Sequence, residues 1–192
     1  MSFTLADVTV QRVRQAFPAT PLKNIEKHLP VVLHALERAG LSDREMVMMA
    51  LATIRAETAG FEPISEGKSK YNTSPAGQPF DLYDTRADLG HKNPGDGARY
   101  KGRGFIQLTG RFNYVKYGPR VGVDLDAHPE RANEPELAAA LLAVFLYDQR
   151  KRIREALLGR NWRVARRLVN GGSHGLDAFT EAYKALEIAL PR

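Results

Sequence analysis

Two carboxylates nine positions apart, Glu57 and Glu66, are of a type and spacing that could carry acid–base chemistry. Glu57 ends an amphipathic helical pattern, on or near its apolar stripe. Because the helix dipole and an apolar setting both disfavour negative charge there, we expect this carboxyl to act as a proton donor. Glu66 follows in a loop, where better solvation suits a general base. Two carboxylates in unlike surroundings are what acid–base hydrolysis of a glycosidic bond requires.

Two alternatives stay open for this pair. Glu62 lies in the same loop and competes with Glu66 for the role of base. A glutamate in the last turn of an arbitrary helix is ordinarily a solvated surface residue, because glutamate is rarely buried without a partner. The spacing of Glu57 and Glu66 therefore does not decide their roles by itself.

A second polar segment runs from Tyr100 to Tyr114 and reads YKGRGFIQLTGRFNY. Glycines on both sides of Arg103 permit an unusual backbone path and close approach of a substrate. Neutral groups able to bind sugar hydroxyls or place a water follow in Gln107, Thr109 and Asn113. The segment lacks the third glycine of a dinucleotide motif and the Lys-Ser/Thr ending of a phosphate-binding loop, and we expect no cofactor.

Together, Glu57-Thr58-Ala59-Gly60 and the later Tyr100–Tyr114 run resemble the family-19 glycoside hydrolases, which include plant-type chitinases and a branch of phage and bacterial endolysins. In that family a His/Ala-Glu-Thr-x-Gly segment carries the general acid. A Gly-Arg-Gly-x-Ile-Gln-Leu-Thr/Ser run, with a following Asn-Tyr, lines the sugar-binding cleft. The resemblance implies that Glu57 is the acid, that Glu66 is the best match to the base, and that Thr109 helps to hold the attacking water.

The resemblance extends at varying strength from Met48 to Gly172. With the residue types, it predicts a set of substrate-binding residues: Tyr100, Arg103, Gln107, Asn113, Tyr114 and Asn170. Asn170 opens an Asn-Gly-Gly turn that resembles a later turn of the family, although a plain helix-terminating turn has the same composition. An arginine that the chitinases carry near their C-terminus has no clear counterpart after Asn170 except Arg192, and its role is left unassigned.

The resemblance implies an inverting mechanism without a covalent intermediate, in which carboxyls roughly 6.5 to 9.5 Å apart leave room for water. We expect an endolysin that cleaves the β-1,4 bonds between N-acetylmuramic acid and N-acetylglucosamine in peptidoglycan and so lyses bacteria. The short, cysteine-free, basic chain favours this substrate. Hydrolysis of chitin, lytic transglycosylase activity and non-catalytic binding to the cell wall remain alternatives.

The chain carries 28 Lys and Arg against 22 Asp and Glu, a formal charge of +6, which favours a polyanionic partner. Much of the positive charge falls in the late helical segments: Arg150, Lys151, Arg152, Arg154, Arg160, Arg163, Arg166 and Arg167. These residues form either solvated helix faces or a surface attracted to anionic envelope polymers and membrane head groups. Nucleic acid is not expected, because no reading helix, zinc site or aromatic stacking motif is recognisable.

The 192 residues include no cysteine, which excludes disulfides. Five histidines are scattered, with no two at metal-ligand spacing on one helix, and we expect no metal: His28, His34, His91, His128 and His174. The segment Met1–Asp7 lacks a basic start followed by an apolar run, and no window approaches the ~20 apolar residues of a membrane span. We expect synthesis in the cytoplasm and action in the periplasm or cell wall after release through a separate pore or delivery system.

Apolar periodicity predicts the elements that position these residues: a mainly α fold of about seven to nine helices, lysozyme-like by resemblance. We expect one monomeric catalytic domain over residues 1–192, with its motifs within 48–172 and N-terminal helices within 5–40 packed onto it. A long helix is predicted from Glu134 to Leu158. From Phe61 to Gly104 the periodicity is lost, and such a long irregular region is more often functional than idle, here as a lining of the cleft.

Overall fold

The computed structural model describes residues 3–172 and 175–192, so that His174 lies outside the described residues. The α-helices in these residues are α1 Val10–Ala16, α2 Leu22–Arg38, α3 Arg44–Thr58, α4 Asp81–Asp84, α5 Asp96–Arg99, α6 Arg111–Tyr117, α7 Pro135–Leu158, α8 Trp162–Asn170 and α9 Leu176–Ala189. Short 3-10 helices occur at Leu5–Asp7, Ala87–Leu89, Pro119–Val121 and Pro129–Asn133, and two short strands are β1 Ile64–Ser65 and β2 Arg103–Gly104. The predicted mainly α fold is confirmed, and the long helix predicted from Glu134 to Leu158 is α7.

The chain divides into two compact units, one formed by Met1–Glu62 with Leu142–Arg192 and the other by Pro63–Leu141. We call them the helical unit and the loop unit. The prediction of one catalytic domain over residues 1–192 stays a prediction. In the part of the chain that the structure describes, no helix is both long and apolar enough to cross a membrane.

Helix α3 forms the centre of the helical unit. Every residue from Met46 to Ile54 is buried, as expected of a helix surrounded by protein on all sides. Its partner is α9, which also packs against α1 and α8. The start of α3 is capped by Asp43, whose carboxylate accepts a hydrogen bond from the backbone N–H of Met46 at 3.3 Å. This packing fixes the axis of the helix that carries Glu57.

The turn that leaves α3 is held from the N-terminal part of the chain. The hydroxyl of Thr20 donates to the carbonyl of Ala59 at 3.1 Å, and the side-chain amide of Asn24 donates to the carbonyl of Gly60 at 2.8 Å. Ala59 has φ of 46°, an unfavourable value for a residue with a side chain. The two hydrogen bonds thus stabilise a strained turn directly after Glu57.

The loop unit contains most of the irregular stretch from Phe61 to Gly104, in which the sequence shows no helical periodicity. It also includes the one-turn helices α4 and α5. Strands β1 and β2 pair antiparallel, with Ile64 opposite Gly104 and Ser65 opposite Arg103. Asn133 joins both strands, since its amide donates to the hydroxyl of Ser65 at 2.8 Å and its carbonyl oxygen accepts from the N–H of Gly104 at 2.9 Å. The pairing brings Glu66 beside the glycine-rich run.

Candidate active site

Glu57, the candidate acid, lies in the last turn of α3 with 14% of its side chain exposed. Its Oε1 lies 2.8 Å from Nη1 of Arg166, whose side chain is 1% exposed. Glu57 is therefore not a solvated surface residue. The sequence predicts an apolar setting for Glu57, but the structure places a buried cation beside it. This cation favours the charged carboxylate, whereas the C-terminal end of the helix disfavours it.

Arg166 corrects the expectation that all the late basic residues lie on the surface. It belongs to α8, where Arg163 and Arg167 are exposed and Arg166 is fully buried. The sequence does contain a signal for this, because Trp162, Ala165, Arg166 and Val169 share the i, i+3, i+4, i+7 spacing of one helix face. An arginine on the inward face of an amphipathic helix requires a buried partner, and Glu57 is that partner.

The remaining late basic residues are mostly exposed, among them Lys151 and Arg152. Arg154 pairs with Asp43 at 2.5 Å and Arg160 with Glu187 at 3.2 Å. Their attraction to anionic polymers or lipid head groups stays a prediction.

Glu66, the candidate base, accepts three hydrogen bonds in the loop unit. Its Oε1 accepts from the side-chain amide of Asn72 at 3.0 Å and from the hydroxyl of Tyr83 at 2.9 Å. Its Oε2 accepts from the backbone N–H of Gly102 at 3.1 Å, and the N–H of Glu66 donates to the carbonyl of Gly102 at 2.7 Å. Three segments thus hold one carboxylate in one orientation.

Asn72 and Tyr83 are not among the residues predicted from the sequence. Asn72 is fully buried, and burial together with the neighbouring Glu66 raises the pKa of Tyr83 to about 12, which keeps its hydroxyl protonated as a donor. Neither residue lies in a recognisable motif. The path of the chain through an irregular region brings both residues to Glu66, and their spacing in the sequence does not indicate this contact.

Three oxygens converge near the Cα atom of Gly102. A methyl group placed there would lie 2.8 Å from Oε1 of Gln107, 3.1 Å from the hydroxyl of Thr109 and 3.2 Å from Oε2 of Glu66. The hydroxyl of Thr109 donates to the backbone carbonyl of Gln107 at 2.9 Å, so its lone pairs remain to accept another donor. The amide of Asn113 donates to the carbonyl of Thr109 at 2.7 Å. The structure thus brings together Glu66, Gln107 and Thr109, and their predicted roles stay predictions.

The side chains of Tyr100, Arg103 and Tyr114 are buried, and the prediction that they bind sugar stays a prediction. Tyr114, with 0% exposure, accepts from Nη1 of Arg103 at 2.9 Å and donates to the carbonyl of Lys101 at 2.7 Å. Burial raises the pKa of its hydroxyl to about 12. Tyr100 donates to Asp126 at 2.5 Å. These residues stabilise the Gly102-Arg103-Gly104 segment from the interior of the protein. The buried guanidinium of Arg103 needs hydrogen-bond acceptors there, and the hydroxyl of Tyr114 is one of them.

Asn170 is the last residue of α8, and Gly171, with φ of 73°, ends the helix in the left-handed conformation. The carbonyl oxygen of the Asn170 side chain accepts from the N–H of Gly172 at 3.0 Å. This is the geometry of an ordinary helix terminus. Sugar binding by Asn170 stays a prediction.

Metal chemistry has no candidate site in residues 3–172 and 175–192, which contain no group of three or more His, Cys, Asp or Glu side chains able to hold an ion.

Replacing Arg166 with Met is expected to destabilise the protein by about 3–5 kcal/mol, because a partly buried carboxylate loses its cation. Arg167→Met is the matched control, since Arg167 is the next residue and is exposed; it should change the free energy of unfolding by no more than about 0.5 kcal/mol. Chemical denaturation of both variants measures the difference. Equal, small losses would show that the Arg166–Glu57 pair contributes no more than a surface pair.

Replacing Tyr83 with Phe removes one donor to Glu66 and is expected to lower kcat about tenfold or more, as for a hydrogen bond to a charged group. In a Glu66→Gln background the same substitution should have little further effect, because the two side chains act as a unit. Steady-state kinetics of the four proteins give the coupling. Tyr147→Phe, on the exposed side of α7, is the control, and additive effects of Tyr83→Phe and Glu66→Gln would contradict the assignment.

Comparison with known proteins gives no match to any family model. In sequence, the chain is 27% identical over 174 residues to a glycosyl hydrolase family 19 domain-containing protein of Haemophilus influenzae, covering 80% of this chain and 84% of that protein.

Two solved structures share the fold. The chain matches chitinase C from Streptomyces griseus HUT6037 with a TM-score of 0.60 at 20% identity, over 97% of this chain and 79% of that one. It matches a bacterial family 19 chitinase with a TM-score of 0.59 at 18% identity, over 94% and 95% of the two chains. These similarities support the prediction of a glycosidase. The resemblance to the family-19 glycoside hydrolases, inferred from two motifs, is thus confirmed by a family-19 relative in sequence and by the chitinase fold.

Proposed function

We propose that the protein hydrolyses β-1,4 bonds between N-acetylated aminosugars of peptidoglycan, with Glu57 as general acid and Glu66 as general base. The observation that carries the proposal is the convergence of Glu66, Gln107 and Thr109 around Gly102. A carboxylate, a hydroxyl and an amide oxygen this close together can bind a water molecule beside Gly102.

The arrangement of hydrogen-bond donors and acceptors in these groups suits the activation of a water molecule. Thr109 uses its own proton on the carbonyl of Gln107, so its oxygen can accept one hydrogen of the water. Oε2 of Glu66 accepts from Gly102 alone among the hydrogen bonds described and can take the other hydrogen as a proton. The water then directs a lone pair at the anomeric carbon. Glu62 is exposed and is the weaker candidate for base.

Glu57 supplies the other half of the reaction. It gives a proton to the glycosidic oxygen as the bond from that oxygen to the anomeric carbon breaks, while the water attacks that carbon and loses its proton to Glu66. The contact of Oε1 with Arg166 orients the Glu57 carboxyl, and the carbonyl oxygen of the protonated acid can still accept from the guanidinium. This mechanism inverts the anomeric configuration, and it requires the two carboxyls to be separated by roughly 6.5 to 9.5 Å.

We favour peptidoglycan as the substrate because the chain carries a formal charge of +6. A positive charge favours binding to an anionic polymer in the bacterial envelope. Cleavage of its glycan strands would lyse bacteria and make the protein an endolysin acting at the cell wall. Chitin is the second candidate, favoured by the fold shared with two chitinases.

Gly102→Ala tests the water site. Its methyl group would occupy the point around which the three oxygens converge, and kcat/KM is expected to fall by about 10²-fold or more. The backbone of Gly102 is not in the left-handed region, so the fold should tolerate alanine. Gly159→Ala is the control, because Gly159 lies outside the site and a methyl group there would make only ordinary contacts, 3.6 Å from the carbonyl oxygen of Glu155. Retention of activity by Gly102→Ala, with an unchanged melting temperature, would exclude this site for the water.

Digestion of purified peptidoglycan and of N-acetylglucosamine oligomers, side by side, tests the substrate and the mechanism. We expect new reducing ends at N-acetylmuramic acid, seen by mass spectrometry, and an inverted anomer seen first by NMR. Glu57→Gln should lose several orders of magnitude in activity and keep its fold. Anhydro-sugar products formed by Glu66→Gln at full rate would instead indicate a lytic transglycosylase, and wall binding without turnover would indicate a binding module.

A further inference from the structure

We infer that the segment after the candidate base, Gly67–Thr73, is a subsite for carboxylate groups of the substrate, and that Lys68 and Lys70 bind them. We call this segment the lysine loop. The inference rests on the proposed function, since it concerns the substrate of the same site.

The lysine loop is anchored to the base. Asn72, at its end, is fully buried, and its amide donates to Oε1 of Glu66 at 3.0 Å and to the carbonyl of Gly67 at 2.9 Å. The carbonyl oxygen of the Asn72 side chain accepts from the N–H of Ser69 at 2.8 Å, and the N–H of Thr73 donates to the carbonyl of Ser69 at 2.9 Å. The loop is therefore a closed turn whose position is coupled to that of the Glu66 carboxylate.

The outer face of the loop is cationic. Lys68 and Lys70 are both exposed, and in the described part of the chain neither ammonium has an ion-pair partner. The sequence from Gly67 to Phe80 contains no Asp or Glu. Tyr71 exposes 76% of its surface, and Nζ of Lys70 lies 5.2 Å from the centre of its ring. This cation–π contact holds one ammonium near a flat face of the kind that packs against sugar rings.

The lysine loop lies close enough to Glu66 for its lysines to contact a substrate bound at this carboxylate. Lys70 is two residues from Asn72, so their Cα atoms are at most about 7 Å apart, and Asn72 touches Glu66 directly. Groups attached to a sugar bound at Glu66 are thus within reach of a flexible lysine. Peptidoglycan carries stem peptides with carboxylates on alternate sugars, whereas chitin is uncharged. Lysine, a mobile point charge, suits carboxylates on a flexible peptide.

The binding test uses Glu57→Gln protein, to prevent turnover, and purified sacculi freed of phosphate polymers. One portion of the sacculi is left native and in the other the carboxylates are converted to amides. Lys68→Gln with Lys70→Gln is expected to weaken binding to native sacculi about tenfold, for two exposed ion pairs, and to leave binding to amidated sacculi unchanged. Lys23→Gln with Lys27→Gln removes the same charge from the exposed face of α2 and is the matched control.

The kinetic test uses the same substitutions in the catalytically complete protein. We expect kcat/KM on peptidoglycan to fall about tenfold, mainly through KM, and kcat/KM on N-acetylglucosamine oligomers to stay unchanged. An equal loss on both substrates would overturn the inference and indicate that the loop only supports Glu66. So would equal binding of native sacculi by the variant and its control. If the wild-type protein cleaved neither substrate, the proposed function would fail, while the binding comparison would still decide whether the lysines recognise carboxylates.

Discussion

The hydrogen bonds that converge on the Glu66 carboxylate are the interaction on which the loop unit depends. They join the amide of Asn72, the hydroxyl of Tyr83 and the backbone of Gly102, which come from three separate segments. An irregular region has few backbone hydrogen bonds of its own, so a charged acceptor with several donors is an effective centre around which to order it. The same bonds that organise these segments orient the group proposed to activate water.

A second buried charge organises the helical unit differently. The Arg166–Glu57 pair joins α8 to the last turn of α3, and both helices are already held by packing against α9, so the pair adds orientation more than cohesion. Removing two charges from water is costly, and a pair of apolar residues would often stabilise such a position as well or better. The position of the pair at the candidate acid fits a role in chemistry.

Small residues matter where the polar groups converge. At Gly102 the absence of a side chain lets oxygens of Glu66, Gln107 and Thr109 lie close to the backbone, and at Gly104 a positive φ lets the chain turn beside Ala132. Beneath this path the Arg103–Tyr114 contact satisfies a buried guanidinium. In this motif the glycines therefore allow polar side chains to approach the backbone, and the arginine between them is fixed in the interior.

The sequence by itself determined the helical class, the long helix predicted from Glu134 to Leu158 and the identity of Glu57, Glu66, Gln107 and Thr109 as candidates. Periodicity and motif order are local properties, and they survive without knowledge of the fold. The sequence does not distinguish the exposed members of a motif from the buried ones. Only the structure shows that the side chains of Tyr100, Arg103 and Tyr114 are buried. Only the tertiary structure decided which groups partner the two carboxylates. Asn72, Tyr83 and Arg166 reach them through chain topology. Helical periodicity indicates that Arg166 faces inward, but no local pattern identifies the partner of any of the three, because each contact joins residues that are apart in the sequence.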